Sequence, residues 1–149
     1  MTLSIAYLLN KASAREITGH LARCDADFVP PLSGRVVIED YAQQIASKAM
    51  RFEAWSGGTL VGLVAAYCND GEQRIAYITS VSVLKAWTGK GIAAHLIGRC
   101  IEYVAAEGFQ QIRLEVASDN IPAIRLYEKS GFVAGQANAL VAIMGLQLE

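Results

Sequence analysis

Cysteine, histidine and unbalanced charge are all scarce in this chain, and each scarcity closes off a class of function. The three cysteines, Cys24, Cys68 and Cys100, form an odd set with no CxxC and no Cys–His spacing. They read as small buried hydrophobes with reduced thiols, not as a disulfide framework or a zinc site. The two histidines, His20 and His95, stand far apart, so no metal is expected. Thirteen Lys and Arg against fourteen Asp and Glu leave a net charge of −1, which gives no pull toward nucleic acid or anionic membrane. The longest non-polar run, residues 60–68, is far below the ~20 residues of a membrane span. Met1-Thr2-Leu3-Ser4 lacks a basic leader pattern, so the expected location is cytoplasmic. At 149 residues, 53% hydrophobic and 18% charged, with a mean hydropathy of +0.30, the chain reads as one ordered domain over 1–149.

Periodicity then gives the elements. Residues 3–9 read as a first strand. Ser13 and Glu16 make an S-x-x-E capping box, opening a helix with Ile17, Leu21 and Cys24 on one stripe and His20 beside it in a structural position. Pro30-Pro31 and Ser33-Gly34 break any pattern before a second helix at 39–49. Residues 52–55 and 60–67 form a hairpin through Gly57-Gly58, and a turn at 69–71 leads to a long strand, Ile75–Val83. By period two, Ile75, Tyr77, Thr79, Val81 and Val83 share one face of that strand. A helix follows Gly91, with an apolar stripe from Ile92 to Val104 and His95 on its solvated side; Gly108 ends it. Residues 111–116 read as a strand, Asn120 caps a further helix stopped by Gly131, and 132–134 and 140–148 are late strands. The fold class is α/β: a mixed sheet with an antiparallel meander ahead of a crossover helix. The apolar 140–148 strand, if left at an edge, points to a homodimer.

Thr88-Gly89-Lys90-Gly91-Ile92-Ala93 lies between a strand and an amphipathic helix. Its glycines let the backbone turn sharply and present N–H groups at a helix N-terminus, a setting that suits a pyrophosphate, with Lys90 adding charge. A P-loop fails, because Lys90 is followed by glycine. Gly89, Gly91 and Ala94 formally satisfy a dinucleotide fingerprint. The antiparallel lead-in is wrong for that fold, so a dinucleotide-binding module is the weaker alternative.

Residues 81–93 resemble the strand-loop-helix signature of the GNAT superfamily of N-acetyltransferases. Residues 114–132 resemble its second signature, L-E-V-x-x-x-N-x-x-A-I-x-L-Y-x-K-x-G-F. Together the likeness covers about residues 74–134. It implies a sheet whose parallel strands, Ile75–Val83 and 111–116, splay to admit acetyl-CoA as co-substrate. Val81 and Val83 would bracket its pantetheine, with Thr88, Gly89, Lys90, Gly91, Ile92 and Ala93 at the pyrophosphate, and Asn120, Ala123, Tyr127 and Lys129 completing the cofactor site. Thr88 stands where the family usually has Arg or Gln, which offers a hydroxyl without charge. The resemblance makes Tyr127 the acid that protonates the leaving thiolate, a role open to a phenol of pKa about 10.

The stretch 77–82 has no carboxylate, so Glu115 is the candidate base, twelve residues before Tyr127. That is the base-to-acid spacing of bacterial ribosomal-protein N-terminal acetyltransferases. A water chain assisted by Thr79 or Ser80 is the other route, and a structural role for Glu115 stays open. The implied reaction is direct attack of a primary amine on the thioester in a ternary complex. The acceptor is a small molecule, an amino sugar or a protein N-terminus, docked against the first two helices, the 28–35 loop and the last hairpin. A non-catalytic acyl-CoA-binding sensor on the same fold is the alternative.

Overall fold

The capping box announced by the sequence is in place: Ser13 Oγ accepts from Glu16 N at 3.1 Å, and Glu16 Oε1 accepts from Ser13 N at 2.9 Å. It opens helix α1 (Ala14–Cys24), whose buried stripe is Ile17, His20, Leu21 and Cys24. The computed structural model describes residues 4–69 and 71–148. Residues 1–3, which hold most of the stretch expected to lack a leader pattern and the start of the first strand, and Asp70 of the expected turn lie outside the described residues.

Helix α2 (Ile38–Lys48) starts one residue before the expected Glu39, and α3 (Ile92–Ala106) and α4 (Ile121–Lys129) follow the sequence pattern. The strands are β1 (Ala6–Leu9), β2 (Met50–Ser56), β3 (Thr59–Tyr67), β4 (Ile75–Val83), β5 (Gln111–Ala117), β6 (Val133–Ala137) and β7 (Val141–Gln147). They form one seven-stranded sheet in the order β1-β2-β3-β4-β5-β7-β6. Every pair is antiparallel except β4–β5. The antiparallel β2–β3–β4 meander excludes the doubly wound arrangement that a dinucleotide fingerprint needs. Because β7 is paired on both sides, by β5 and β6, the exposed edge that pointed to a homodimer is absent; the edges are β1 and β6.

Two apolar layers sandwich the sheet. On one face α1 and α2 bury Ile17, Leu21 and Ile45 against Leu60, Leu63 and Ala65. On the other, α3 and α4 bury Ile92, Leu96, Ile97 and Tyr127 against Val64, Ile78, Leu114 and Met144. Each fully buried aliphatic side chain contributes about 1.5–3 kcal/mol relative to exposure. Gly62 lets α3 sit this close: a Cβ there would lie 2.7 Å from Ile92 Cγ2. The N-terminus of α3 is thereby fixed over the end of β4.

The shared face expected for Ile75 through Val83 does not hold. Ala65 pairs with Ser80 and Ala66 with Ile78, so Thr79 is an extra residue on β4. Before this bulge, Tyr77 lies opposite Tyr67 on the α1–α2 face. After it, Val81 lies opposite Val64 on the α3 face, while Ser80 and Ser82 turn toward α1 and α2. The three thiols are free; Cys24 and Cys100 are buried as expected, whereas Cys68, at the end of β3, is only half-buried. Burial pushes Cys24 up to about 11 and Cys100 up to about 12. Among the described residues no helix is long and apolar enough to cross a membrane, and no three metal-ligating side chains gather.

Candidate active site

The parallel ladder between β4 and β5 is short. It runs from Ile75–Gln111 to Ile78–Leu114 and stops there. Beyond it β4 stays with β3 as far as Val83, while β5 stays with β7 as far as Ala117. A cleft therefore opens between residues 79–83 and 115–117. Two contacts hold β4 on its own side. Tyr41 of α2 donates its hydroxyl to the Thr79 carbonyl at 2.7 Å, and the Tyr41 hydroxyl oxygen also lies 2.7 Å from Thr79 Oγ1. His20 of α1 binds Ser82 Oγ at 2.8 Å. Ser80, 5% exposed, is buried with its hydroxyl near that of Tyr41.

At the mouth of this cleft, a short turn (Lys85–Trp87) leads into Thr88, Gly89, Lys90 and Gly91. Gly89 and Gly91 adopt φ of 77° and 79°, left-handed conformations that glycine accepts at low cost. Gly91 is the N-cap of α3 and supplies no side-chain cap, so the first amides of the helix are left without an intrahelical acceptor. Gly89 and Gly91 are exposed with open space beside them, and Lys90 is exposed between them. The loop thus has the donors, the dipole end and the room for a pyrophosphate. Thr88 does not fill the place of the missing cation, because its hydroxyl donates to the Lys85 carbonyl at 2.7 Å.

Across the cleft, Asn120 caps α4, its Oδ1 accepting from Ala123 N at 3.4 Å. Its structural role is therefore visible. Tyr127, one turn beyond Ala123 and Ile124, is buried against Phe132, with ring centroids 6.1 Å apart. Burial pushes its phenol up to about 12, so it keeps its proton at neutral pH. Lys129 lies in the last turn of α4, at the opposite end from Asn120.

Glu115 is exposed and alternates with the buried Leu114 and Val116. Those two neighbours belong to the layer that contains Tyr127, so Glu115 and Tyr127 sit on opposite faces of the sheet. The cleft is the passage between them. Tyr77 stands beside Glu115; its burial, and then that carboxylate, push the phenol up to about 12. Sequence reasoning missed Tyr77, Tyr41 and the His20–Ser82 contact as parts of the site. It also missed Glu53, a fully buried carboxylate on β2 that accepts from Ala12 N at 3.1 Å and Trp55 Nε1 at 2.9 Å. Arg51 Nε pairs with it at 3.3 Å, which makes Glu53 a structural anchor remote from the cleft.

The acetyltransferase (GNAT) family model matches residues 16–132. Among curated proteins, the N-alpha-acetyltransferase MAK3 of Arabidopsis thaliana is 32% identical over 83 residues, covering 55% of this chain and 44% of that protein. The match thus spans less than half the length of that relative. The ribosomal-protein-S18-alanine N-acetyltransferase of Escherichia coli has a similar structure, with a TM-score of 0.76 at 17% identity over 99% of this chain and 95% of that one. The Salmonella typhimurium protein yncA, solved with its cofactor acetyl-CoA, has a TM-score of 0.76 at 19% identity over 100% of this chain and 95% of that one. At those identities the structural likeness is one of fold.

Proposed function

This chain belongs to the GNAT family of acetyltransferases, and from that premise we propose that it moves an acetyl group from acetyl-CoA to a primary amine by direct attack. The observation that carries this reading is the cleft where the β4–β5 ladder ends after Ile78 and Leu114, with the open amides of the Gly89–Gly91 loop at one end. When bound, acetyl-CoA supplies a thioester carbonyl to attack and a thiolate to leave.

The amides of Gly89 through Ala93, with Lys90, hold the pyrophosphate. The freed backbone edge near Val81 and Val83 lies along the pantetheine, and Asn120 and Ala123 flank it from α4. Glu115, on the acceptor face, takes a proton from the amine directly or through one water as the new C–N bond forms. Tyr127, on the other face, gives its phenolic proton to the sulfur as the C–S bond breaks. Each residue thus works from the side on which its proton is needed, and the phenol is protonated throughout the neutral range.

The test is thermal unfolding with CoA, acetyl-CoA and NAD, on the wild type and on Gly91→Trp, followed by thiol release with an amine panel. A hundredfold excess over Kd stabilises by about 2.7 kcal/mol. Stabilisation by acetyl-CoA that is lost in the variant, together with amine-dependent thiol release, supports the enzyme. Binding without turnover on any amine points to the acyl-CoA sensor, and no response to CoA removes the reading.

A further inference from the structure

We propose that the Thr79 hydroxyl oxygen takes one N–H of the acceptor, and that this contact makes the cleft favour primary over secondary amines. This rests on the acetyltransferase reading above and adds a specificity residue to the same cleft.

Thr79 is the extra residue of the β4 bulge and stands immediately past the last pair of the parallel ladder, Ile78–Leu114. Carried one step further, that register sets Thr79 across from Glu115, where the strands have parted. Both side chains lie on the α1–α2 face of the sheet. Thr79 Oγ1 is 2.7 Å from the Tyr41 hydroxyl of α2. Glu115 alternates with Leu114 and Val116, which are buried in the layer on the other face. Thr79 is half-buried and Glu115 exposed, so the helices close off neither.

The direction of the hydrogen bonds at Thr79 follows from its neighbour. Tyr41 Oη lies 2.7 Å from both the Thr79 carbonyl and Thr79 Oγ1. A carbonyl only accepts, so the phenolic proton goes to it, and the contact with Oγ1 is made by the threonine's own proton. With that proton committed, Oγ1 has only lone pairs left to offer. An ionised Glu115 is likewise an acceptor only. Two groups that only accept thus flank the opening of the cleft.

A neutral primary amine has two N–H groups, one for each acceptor, and a lone pair left for the thioester carbon. A neutral secondary amine has one N–H and leaves one acceptor unanswered. A site built to receive a hydrogen bond discriminates against a substrate that lacks it. In the reaction the proton on the Glu115 side leaves nitrogen as the C–N bond forms, and Glu115 passes it to water. The N–H on Thr79 stays on nitrogen in the amide product. The sulfur takes its proton from Tyr127 as before, and Tyr127 regains one from water.

The experiment measures acetyl-CoA-dependent thiol release with matched acceptors: phenethylamine and N-methylphenethylamine, glucosamine and N-methylglucosamine, glycylglycine and sarcosylglycine. For each pair whose primary member turns over, the wild type is expected to favour that member by about tenfold or more in kcat/KM. Thr79→Val should lower the ratio about tenfold, through loss on the primary amine, and Thr79→Ser should keep it. Val retains the β-branched shape and the backbone carbonyl that Tyr41 binds, so the unfolding temperature should stay near that of the wild type. Thr79→Ala removes the same hydroxyl and makes the same test should Val disturb the bulge. Equal use of both members by the wild type, an unchanged ratio in Thr79→Val and Thr79→Ala, or Thr79→Ser behaving as Thr79→Val does would overturn the proposal and leave the acetyltransferase intact. Failure to bind acetyl-CoA, or binding without turnover of any primary amine, would instead remove the reading on which it rests.

Discussion

Ser82 Oγ lies 2.8 Å from His20 Nε2 because the other ring nitrogen is already committed: His20 Nδ1 donates to the Leu60 carbonyl at 3.0 Å. That bond fixes the tautomer, so Nε2 is an acceptor and Ser82 is the donor. The contact ties α1 to the stretch of β4 that borders the cleft. Burial is the main reason the imidazole is held down to about 4, with the nearby Arg23 charge a smaller one.

A pH dependence follows with a definite sign. The folded pKa, about 4, lies below the ordinary 6.5, so between these values the unfolded chain binds more protons than the folded one. This group's contribution is therefore complete above pH 6.5 and is lost as the pH falls toward 4. At about 1.36 kcal/mol per unit, the loss is on the order of 3 kcal/mol. Urea unfolding of the wild type and His20→Gln at pH 7, 6, 5 and 4.5 measures it. The wild type should lose more stability than the variant across that range, and parallel curves would show that His20 titrates normally.

Glu53 is expected to matter to stability and not to chemistry. Its carboxylate accepts from Lys11 N at 3.0 Å and from Ala12 N, Trp55 Nε1 and Arg51 Nε, while Arg51 also reaches the Ala46 and Ala12 carbonyls at 3.0 and 3.1 Å. Glu53→Ala leaves a buried guanidinium without its counter-charge, a loss of about 3–5 kcal/mol. The urea midpoint should fall accordingly with an unchanged m-value. A loss below about 1 kcal/mol would mean that water replaces the carboxylate.

What the sequence made legible was local. The Ser13–Glu16 box, the Gly57-Gly58 turn, the ends of β4, the αL glycines before α3 and the Asn120 cap are each decided by residues within one turn of one another, and all are where the pattern put them. The misreading of β4 arose from pairing. Whether Val81 faces the same way as Tyr77 depends on the register against Ala65 and Ala66, and alternation within β4 cannot report an extra residue. Tyr41 and Thr79 are 38 positions apart, and His20 and Ser82 are 62 apart, so only the folded sheet brings them together. Glu53 escaped notice because a carboxylate in a strand ordinarily reads as solvent-facing.

Tyr41→Phe probes what keeps the cleft open. Removing the hydroxyl leaves the Thr79 carbonyl without its 2.7 Å donor, at a stability cost of about 1 kcal/mol. If that bond holds β4 away from β5, the KM for acetyl-CoA should rise several-fold while kcat changes less. Lower stability with an unaltered KM would mean that the bond only fastens α2 to the sheet.

Tyr127→Phe separates an acid from a piece of core. The ring packs among buried neighbours, and Phe keeps that packing, so the unfolding temperature should stay within a few degrees of the wild type. As general acid, the phenol is expected to supply about 10²-fold or more of kcat, with the KM for acetyl-CoA little changed. Its folded pKa, raised to about 12 by burial, lies above the ordinary 10. The protonated form is thus favoured in the folded protein, and the stability this gives is present below pH 10 and is lost as the pH rises toward 12. The wild-type rate should accordingly show no fall from loss of this acid between pH 7 and about 9.5. A thioester with a more acidic leaving thiol needs less proton donation, so it should narrow the gap between Tyr127→Phe and the wild type. A variant that matches the wild-type kcat on acetyl-CoA, or a gap that the better leaving group does not narrow, would make Tyr127 a packing residue and leave the thiolate to take its proton from water.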